Sequence, residues 1–234
     1  MKSAAEIRTY LLARLQCALL RPGMCGGELG ILNLMEYVTF IDERSMEWQH
    51  RRKELHERKC FNAGGVTGGF RQVLGFRQNG EHDDGVASVY ARIAIQMGYL
   101  STEGEDRMNR LLTVGEFDSL ESQWHKFVEM EKCVPDDVIS RFGVPSIRWG
   151  TNDYYPCTLL YLCESAPTRY VHFDFWAEWY KNADGLHVPC KFGTKPLLRN
   201  IRIPAETFAE EFVFTTFGSD LLKEKRKTTD AKDH

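Results

Sequence analysis

Residues 169–181 read Arg-Tyr-Val-His-Phe-Asp-Phe-Trp-Ala-Glu-Trp-Tyr-Lys, a run in which two kinds of side chain alternate. Because successive residues of a strand point to opposite sides, this alternation predicts a β-strand with two different faces. One face is apolar. The other, here called the polar face, carries a histidine, two carboxylates and three large aromatic residues: Tyr170, His172, Asp174, Trp176, Glu178 and Tyr180.

The polar face has two interpretations. Trp and Tyr anchor many protein interfaces, which favours a surface that contacts a protein partner. The other interpretation is an amphipathic sheet surface whose polar groups pair with neighbouring strands. We predict the first, with all six polar-face residues as contacts.

Further strands are predicted on both sides of this run. Residues 147–149, 157–163 and 197–203 are rich in β-branched, aromatic and other apolar residues, and turn-forming residues separate them. Residues 158–162 are apolar on both faces, which is typical of a central strand. Residues 143–222 are therefore predicted to form a β-rich region.

The chain before residue 143 has helical periodicity. A capping box at Ser3 and Glu6 opens the first helix, and the second runs to about Asp42, so that the two are expected to pack as a hairpin. More helices are predicted at 45–59, 85–97 and 102–112, and from Asp118 and Pro135 onward. A short helix is predicted at 204–212 as well.

This order of elements predicts an α+β fold, with a helical N-terminal portion followed by a mainly antiparallel sheet. The predicted regions are 1–142 (helical), 143–222 (β-rich) and 223–234, a charged tail expected to be disordered. The helical and β-rich regions either form two subdomains or share one core.

Composition restricts the classes of function. The 234 residues are 43% hydrophobic and carry a net charge of −3, which predicts a folded protein without a general attraction to nucleic acid. The N-terminus is charged and no run reaches about 18 apolar residues, so no signal peptide and no membrane segment are predicted. Seven cysteines without a Cys-x-x-Cys pair predict reduced thiols and a cytoplasmic location.

A glycine-rich stretch at residues 62–71 is a candidate phosphate-binding loop. Paired glycines let the backbone approach phosphate oxygens, and an arginine adds charge; the candidates are Gly64, Gly65, Gly68, Gly69 and Arg71. The stretch lacks the Gly-Lys-Ser/Thr ending of a Walker A loop. A connector between helices is the alternative.

Residues 81–84, Glu-His-Asp-Asp, are a second cluster of polar groups. They offer oxygen and imidazole ligands, but acidic residues are also favoured at a helix start by the helix dipole, and we predict the second role. No nucleophile elbow and no metal-ligand spacing occurs, so no cofactor and no metal are predicted and catalytic residues stay unknown.

Two functions follow from these patterns. The first is a cytosolic binding or interaction protein, of an inhibitor, immunity or adaptor kind, which contacts a protein partner through the polar face. The alternative is a hydrolase or an enzyme acting on nucleotides or phosphates. It would use the loop at 64–69 with the His and Asp residues at 82–84 and 172–178. The oligomeric state does not follow from the sequence.

Overall fold

In a computed structural model of the chain, helices come first and an antiparallel sheet follows, which confirms the predicted α+β fold. The structure describes residues 3–20, 25–58, 80–100, 110–149, 157–165, 169–177, 179–181, 187–189 and 195–230.

The helices are bounded as follows: α1 Ala4–Leu20, α2 Gly27–Ile41, α3 Ser45–Glu57, α4 Gly80–Gln96, α5 Val114–Glu121, α6 His125–Val128, α7 Pro135–Phe142 and α8 Thr216–Asp230. The strands are β1 Ile147–Trp149, β2 Cys157–Leu162, β3 Tyr170–Trp176, β4 Trp179–Lys181, β5 His187–Pro189, β6 Leu197–Arg202 and β7 Phe212–Phe214. A 3₁₀ turn, Ala209–Glu211, precedes β7.

The chain divides into two compact units. The first unit comprises Met1–Ser101 with Glu206–Ala209, and the second comprises Thr102–Ala205 with Glu210–His234. The helices α5, α6 and α7 therefore belong to the same unit as the sheet, although they precede residue 143. The sequence-based division at 142 marks the change from helix to strand, whereas the compact units divide near residue 101.

In the first unit, α1 and α2 pack against each other as the predicted hairpin. Leu15 and Ala18 of α1 and Met35 and Val38 of α2 are buried, as their helical spacing requires. An ion pair between Arg8 and Asp42, with Nε and Oδ1 2.6 Å apart, joins the start of α1 to the end of α2. The two helices are therefore antiparallel.

The second unit is built on a five-stranded antiparallel sheet in the order β1-β2-β3-β6-β7. A separate hairpin pairs β4 with β5. One face of the sheet carries Leu159, Tyr161, Val171 and Phe173, which pack in one apolar core with residues of α5, α6 and α7, including Phe117, Leu120, Phe127 and Val138. The polar-face residues of β3 lie on the opposite side of the sheet.

Five local predictions differ from the structure. The single strand predicted over 169–181 forms two strands, β3 and β4, which belong to different sheets, so Tyr180 does not share a strand face with His172 and Asp174. The helix predicted at 85–97 begins earlier, at Gly80.

The helix predicted from Asp118 begins at Val114, because Thr113 and Glu116 form a capping box one turn earlier. The helix predicted to end at 112 does not include Leu112, which bridges to Cys163 beside β2. In 204–212, only the 3₁₀ turn at Ala209–Glu211 is helical.

The C-terminal helix α8 takes in most of the segment 223–234 for which disorder is predicted, since its backbone is helical to Asp230. Its first turns contact β6 and β7, and Leu221 and Leu222 are buried there. Packing of the first turns of α8 against the sheet therefore supports a helix that continues into the charged tail, which the composition of the tail does not indicate.

The start of α8 lies against the backbone of β6, which predicts a strong effect of Gly218→Ala. A Cβ at Gly218 would lie 2.0 Å from the carbonyl oxygen of Arg199, so the helix or the strand must move. We expect the free energy of unfolding to fall by about 1–3 kcal/mol, as for other overpacked sites. Denaturant titration measures it.

The matched control is Gly115→Ala in α5, where no atom lies within 4 Å of the added Cβ. There the better helix propensity of alanine is expected to raise the free energy of unfolding by up to about 1 kcal/mol. Equal effects of the two substitutions would contradict the close packing of α8 on β6.

Candidate functional site

The polar face of β3 is internal. Tyr170, His172, Asp174 and Trp176 share one side of the strand, and each is no more than 6% exposed. Of the other two polar-face residues, Glu178 lies outside the described residues, and Tyr180 lies in β4 with its side chain not described. Buried side chains offer no surface to a partner, so the structure gives the contact role of these residues no support, and that role stays a prediction. The candidates of the glycine-rich loop also lie outside the described residues: Gly64, Gly65, Gly68, Gly69 and Arg71.

Asp174 is the centre of a buried hydrogen-bond cluster. Arg202 donates to it twice, from Nε to Oδ2 at 2.6 Å and from Nη2 to Oδ1 at 3.2 Å. Asn200 Nδ2 donates to Oδ2 at 2.8 Å, and Thr158 Oγ1 donates to Oδ1 at 2.7 Å. Thr158 and Asn200 are the residues opposite Asp174 on β2 and β6, so strand register alone brings the three together.

These partners keep the Asp174 carboxylate charged. Burial alone would raise its pKa, because a charged group loses its hydration in the protein interior. The Arg202 guanidinium acts against burial by its charge and its hydrogen bonds, and Arg199 and Thr158 add to it. The result is a pKa of Asp174 below its ordinary value.

His172 is held by the same arginine. Arg202 Nη2 lies 2.8 Å from His172 Nδ1. Since a guanidinium only donates, Nδ1 accepts, and the proton of the neutral imidazole is on Nε2. The Trp149 ring stacks on the imidazole at 6.4 Å, with 7° between the ring planes, and the Tyr170 ring meets it edge-on at 5.1 Å.

This geometry differs from that of a catalytic histidine with an orienting acid. In such a pair a carboxylate accepts a hydrogen bond from Nδ1–H of the histidine. Here the Arg202 guanidinium donates to Nδ1 of His172, and Asp174 accepts hydrogen bonds from the same guanidinium. Asp174 instead has the pattern of a structural ion pair, with several donors around one buried carboxylate. The cluster is suited to holding β2, β3 and β6 in register.

A β-bulge supplies one residue that the sequence patterns did not identify as part of the cluster, Arg199. The register between β3 and β6 shifts at Asp174 and Phe175, so that Arg199 is the extra residue of β6. Arg199 Nε donates to Asn200 Oδ1 at 3.0 Å, and its guanidinium lies 5.5 Å from the centre of the Trp176 ring. The signal in the sequence is the spacing of Leu198 and Ile201, which share the apolar core although they are three residues apart.

The remaining sequence predictions concern a metal site, the polar cluster at 81–84 and membrane-spanning helices. No group of three or more His, Cys, Asp or Glu side chains is arranged to hold a metal ion within the described ranges. Residues 81–84 lie in the first turn of α4, which begins at Gly80. Their side chains are not described. Of the helices seen in the described part of the chain, none has both the length and the apolarity needed to cross a bilayer.

Comparison of the chain with protein-family models, with curated proteins and with solved structures gives no match.

The first unit carries the main concentration of exposed apolar side chains. Among the described residues, nine large hydrophobic side chains are exposed, and six of them lie between residues 7 and 46: Ile7, Tyr10, Leu29, Tyr37, Phe40 and Met46. Phe40 and Met46 are more than three-quarters exposed, at 76% and 77%. Single exposed apolar residues are common, but a concentration of them marks an interaction surface.

Four of these residues lie on α1 and α2 toward the end of the hairpin that the Arg8–Asp42 pair marks, and the fifth follows at the start of α3. We name the five the hairpin-end patch: Ile7, Tyr10, Tyr37, Phe40 and Met46. Ile7 and Tyr10 are three apart on α1, and Tyr37 and Phe40 are three apart on α2, so each pair occupies one helix face. The Arg8–Asp42 ion pair fixes the start of α1 beside the end of α2. Along α1, apolar side chains at helical spacing are buried from Leu15 onward, whereas Ile7 near the start of the helix is exposed.

The buried carboxylate predicts a pH-dependent stability. Because the pKa of Asp174 is lower in the folded chain than the value of about 3.9 expected when unfolded, the unfolded chain binds more protons in acid. The stabilisation is complete above about pH 3.9 and decreases as the pH falls toward the folded pKa. Denaturant titrations between about pH 2 and pH 7 measure this dependence.

In the Asp174→Asn variant, this part of the acid dependence is expected to be lost. The control is Glu116→Gln. Arg110 and the Thr113 cap lower the pKa of Glu116 to about 2, so this substitution removes the acid dependence that an exposed carboxylate contributes to stability. A pH dependence in Asp174→Asn equal to that of the unchanged protein would contradict the charged, buried carboxylate.

Proposed function

We propose that this chain is an interaction protein that contacts a protein partner through the hairpin-end patch. The observation that carries the proposal is the exposure of Tyr37 and Phe40 on one face of α2, at the end of the hairpin where the start of α1, with the exposed Ile7, is held by the Arg8–Asp42 pair. The class of function is that predicted from the sequence, an inhibitor, immunity or adaptor kind of protein. The proposed contact surface is a helical hairpin in place of the polar face of β3.

The surroundings of the patch resemble the rim of an interface. Arg8 follows Ile7 and pairs with Asp42, while Glu36 precedes Tyr37 and pairs with Arg52 at 3.0 Å. Interfaces commonly place aromatic residues and methionine at the centre and charged residues around them. The ion pairs give a partner polar groups that fix its orientation, while Phe40 and Met46 supply apolar area.

A cytosolic location is part of the proposal. It is supported by the odd number of cysteines and by the absence of a Cys-x-x-Cys pair from the sequence. The predictions that nucleic acid is not a partner and that no cofactor is needed rest on composition and motifs. The hydrolase alternative also stays a prediction, since its loop lies outside the described residues and no geometry of the polar cluster favours it.

A photo-crosslinking residue at position 40 tests the proposal in cells that express the chain. We expect one discrete protein adduct from this position and none from position 144, because Val144 is a comparably apolar, half-exposed residue of the second unit. The adduct should disappear when Tyr37 and Met46 are both replaced by serine.

Both substitutions are at exposed positions, so the thermal midpoint of that variant should stay within the range of ordinary surface changes. Absence of an adduct at position 40, or the same adducts from both positions, would contradict the proposed contact surface.

A further inference from the structure

The joint between α1 and α2 brings two thiols together. Cys17 Sγ in the last part of α1 lies 3.8 Å from Cys25 Sγ, which precedes α2, and the two are not joined by a disulfide. A distance of 3.8 Å is a van der Waals contact, and a disulfide needs the two sulfur atoms at about 2.05 Å. Cys17 is exposed and Cys25 is partly exposed, so a small reagent reaches the pair.

The backbone around Cys25 holds its thiol in this place. Gly26 and Gly27 both have positive φ, at 87° and 61°, a conformation that glycine adopts without strain. A Cβ at Gly30 would lie 1.9 Å from the carbonyl oxygen of Cys25, so α2 packs directly on that carbonyl only because residue 30 is glycine. Three glycines thus permit the backbone conformation in which Cys25 Sγ lies beside Cys17 Sγ.

The other described cysteines are in a different environment. Cys133, Cys157 and Cys163 are each 2% exposed. Burial raises the pKa of the Cys133 thiol to about 12, which leaves almost no thiolate at neutral pH. Accessibility and proximity therefore single out Cys17 and Cys25 among the described thiols.

We propose that Cys17 and Cys25 form a reversible dithiol–disulfide site that low-molecular-weight disulfides, such as glutathione disulfide, oxidise. The Cys17 thiolate attacks one sulfur atom of the reagent, the reagent's S–S bond breaks, and one glutathione leaves as thiolate. The Cys25 thiolate then attacks Cys17 Sγ and displaces the second glutathione. Two electrons pass from the protein to the reagent, and the two protons lost by the protein thiols are taken up by the released glutathione.

Fragment analysis of the full, folded chain tests the site directly. Cyanogen bromide cleaves after Met24, which separates Cys17 from Cys25, and after Met35, so that the second fragment contains only Cys25. After equilibration with glutathione disulfide, we expect these two fragments to stay linked until a reductant is added, with the loss of two titratable thiols. Cys133→Ser should leave the linkage unchanged.

Two variants test the order of steps and the geometry. Cys25→Ser should retain one glutathionyl group at Cys17, because the resolving thiol is gone. Gly30→Ala should slow the linkage, because the added Cβ displaces the Cys25 carbonyl, whereas Gly115→Ala should not.

Separate fragments at every glutathione ratio would overturn the proposal, as would linkage of Cys17 to a fragment other than 25–35. It would also be overturned if the chain linked equally fast in concentrated guanidinium chloride, since closeness in sequence alone would then account for the pairing.

Discussion

Replacing Arg202 with methionine is expected to lower the free energy of unfolding by about 3–5 kcal/mol. The guanidinium is 1% exposed and donates to Asp174 and His172, so its removal leaves a buried carboxylate without its cation. The loss of charge compensation, rather than the loss of one hydrogen bond, sets the size of the effect. Denaturant titration at pH 7 measures it.

A double variant and a surface control make this prediction specific. Adding Asp174→Asn to Arg202→Met removes the uncompensated charge, so part of the lost stability should return. Lys223→Met breaks an exposed pair with Asp220 and should change the free energy of unfolding by no more than about 1 kcal/mol. If Arg202→Met behaved like Lys223→Met, the buried ion pair would not be the centre of the cluster.

Trp176→Ala is expected to lower the free energy of unfolding by about 3–5 kcal/mol, as for other buried aromatic residues replaced by alanine. Its side chain is 4% exposed, and the Arg199 guanidinium lies over its ring. A residue that only contacted a partner would instead leave the stability nearly unchanged. Thermal and denaturant unfolding of the purified variant distinguish the two roles.

Phe40→Ala provides the comparison, because Phe40 is the most exposed aromatic residue of the hairpin-end patch. We expect its effect to stay within about 0.5 kcal/mol, as for substitutions at exposed positions. The opposite ranking, with a stable Trp176→Ala and an unstable Phe40→Ala, would contradict both the internal position of the polar face and the exposure of the patch.

The order of elements and the faces of β3 could be predicted from the sequence because both depend on local periodicity. Alternation in 169–181 places Val171 and Phe173 opposite His172 and Asp174, and the structure shows that arrangement. The helical hairpin likewise follows from the spacing of Leu15, Met35 and Val38. These signals are contained within single elements.

The environment of the polar face could not be predicted in the same way. Alternation shows that two faces differ, but both faces of β3 are buried, and burial depends on elements distant in sequence. Arg202 is 28 residues from Asp174, and the spacing of Leu198 and Ile201 indicates an extra residue in β6 without showing that Arg199 meets Trp176 of β3. Ile7 lies at helical spacing from Leu15 and yet is exposed, because helical spacing identifies an apolar side of a helix without showing what lies over it.

Hydroxyl-radical footprinting of the purified chain tests most directly the claim that the polar face is internal and the hairpin-end patch is external. After correction for intrinsic reactivity, we predict fast oxidation of Tyr37, Phe40 and Met46 and strong protection of Tyr170 and Trp176. Fast oxidation of Trp176 together with protection of Phe40 would show that the sheet face is the accessible surface and would contradict the account.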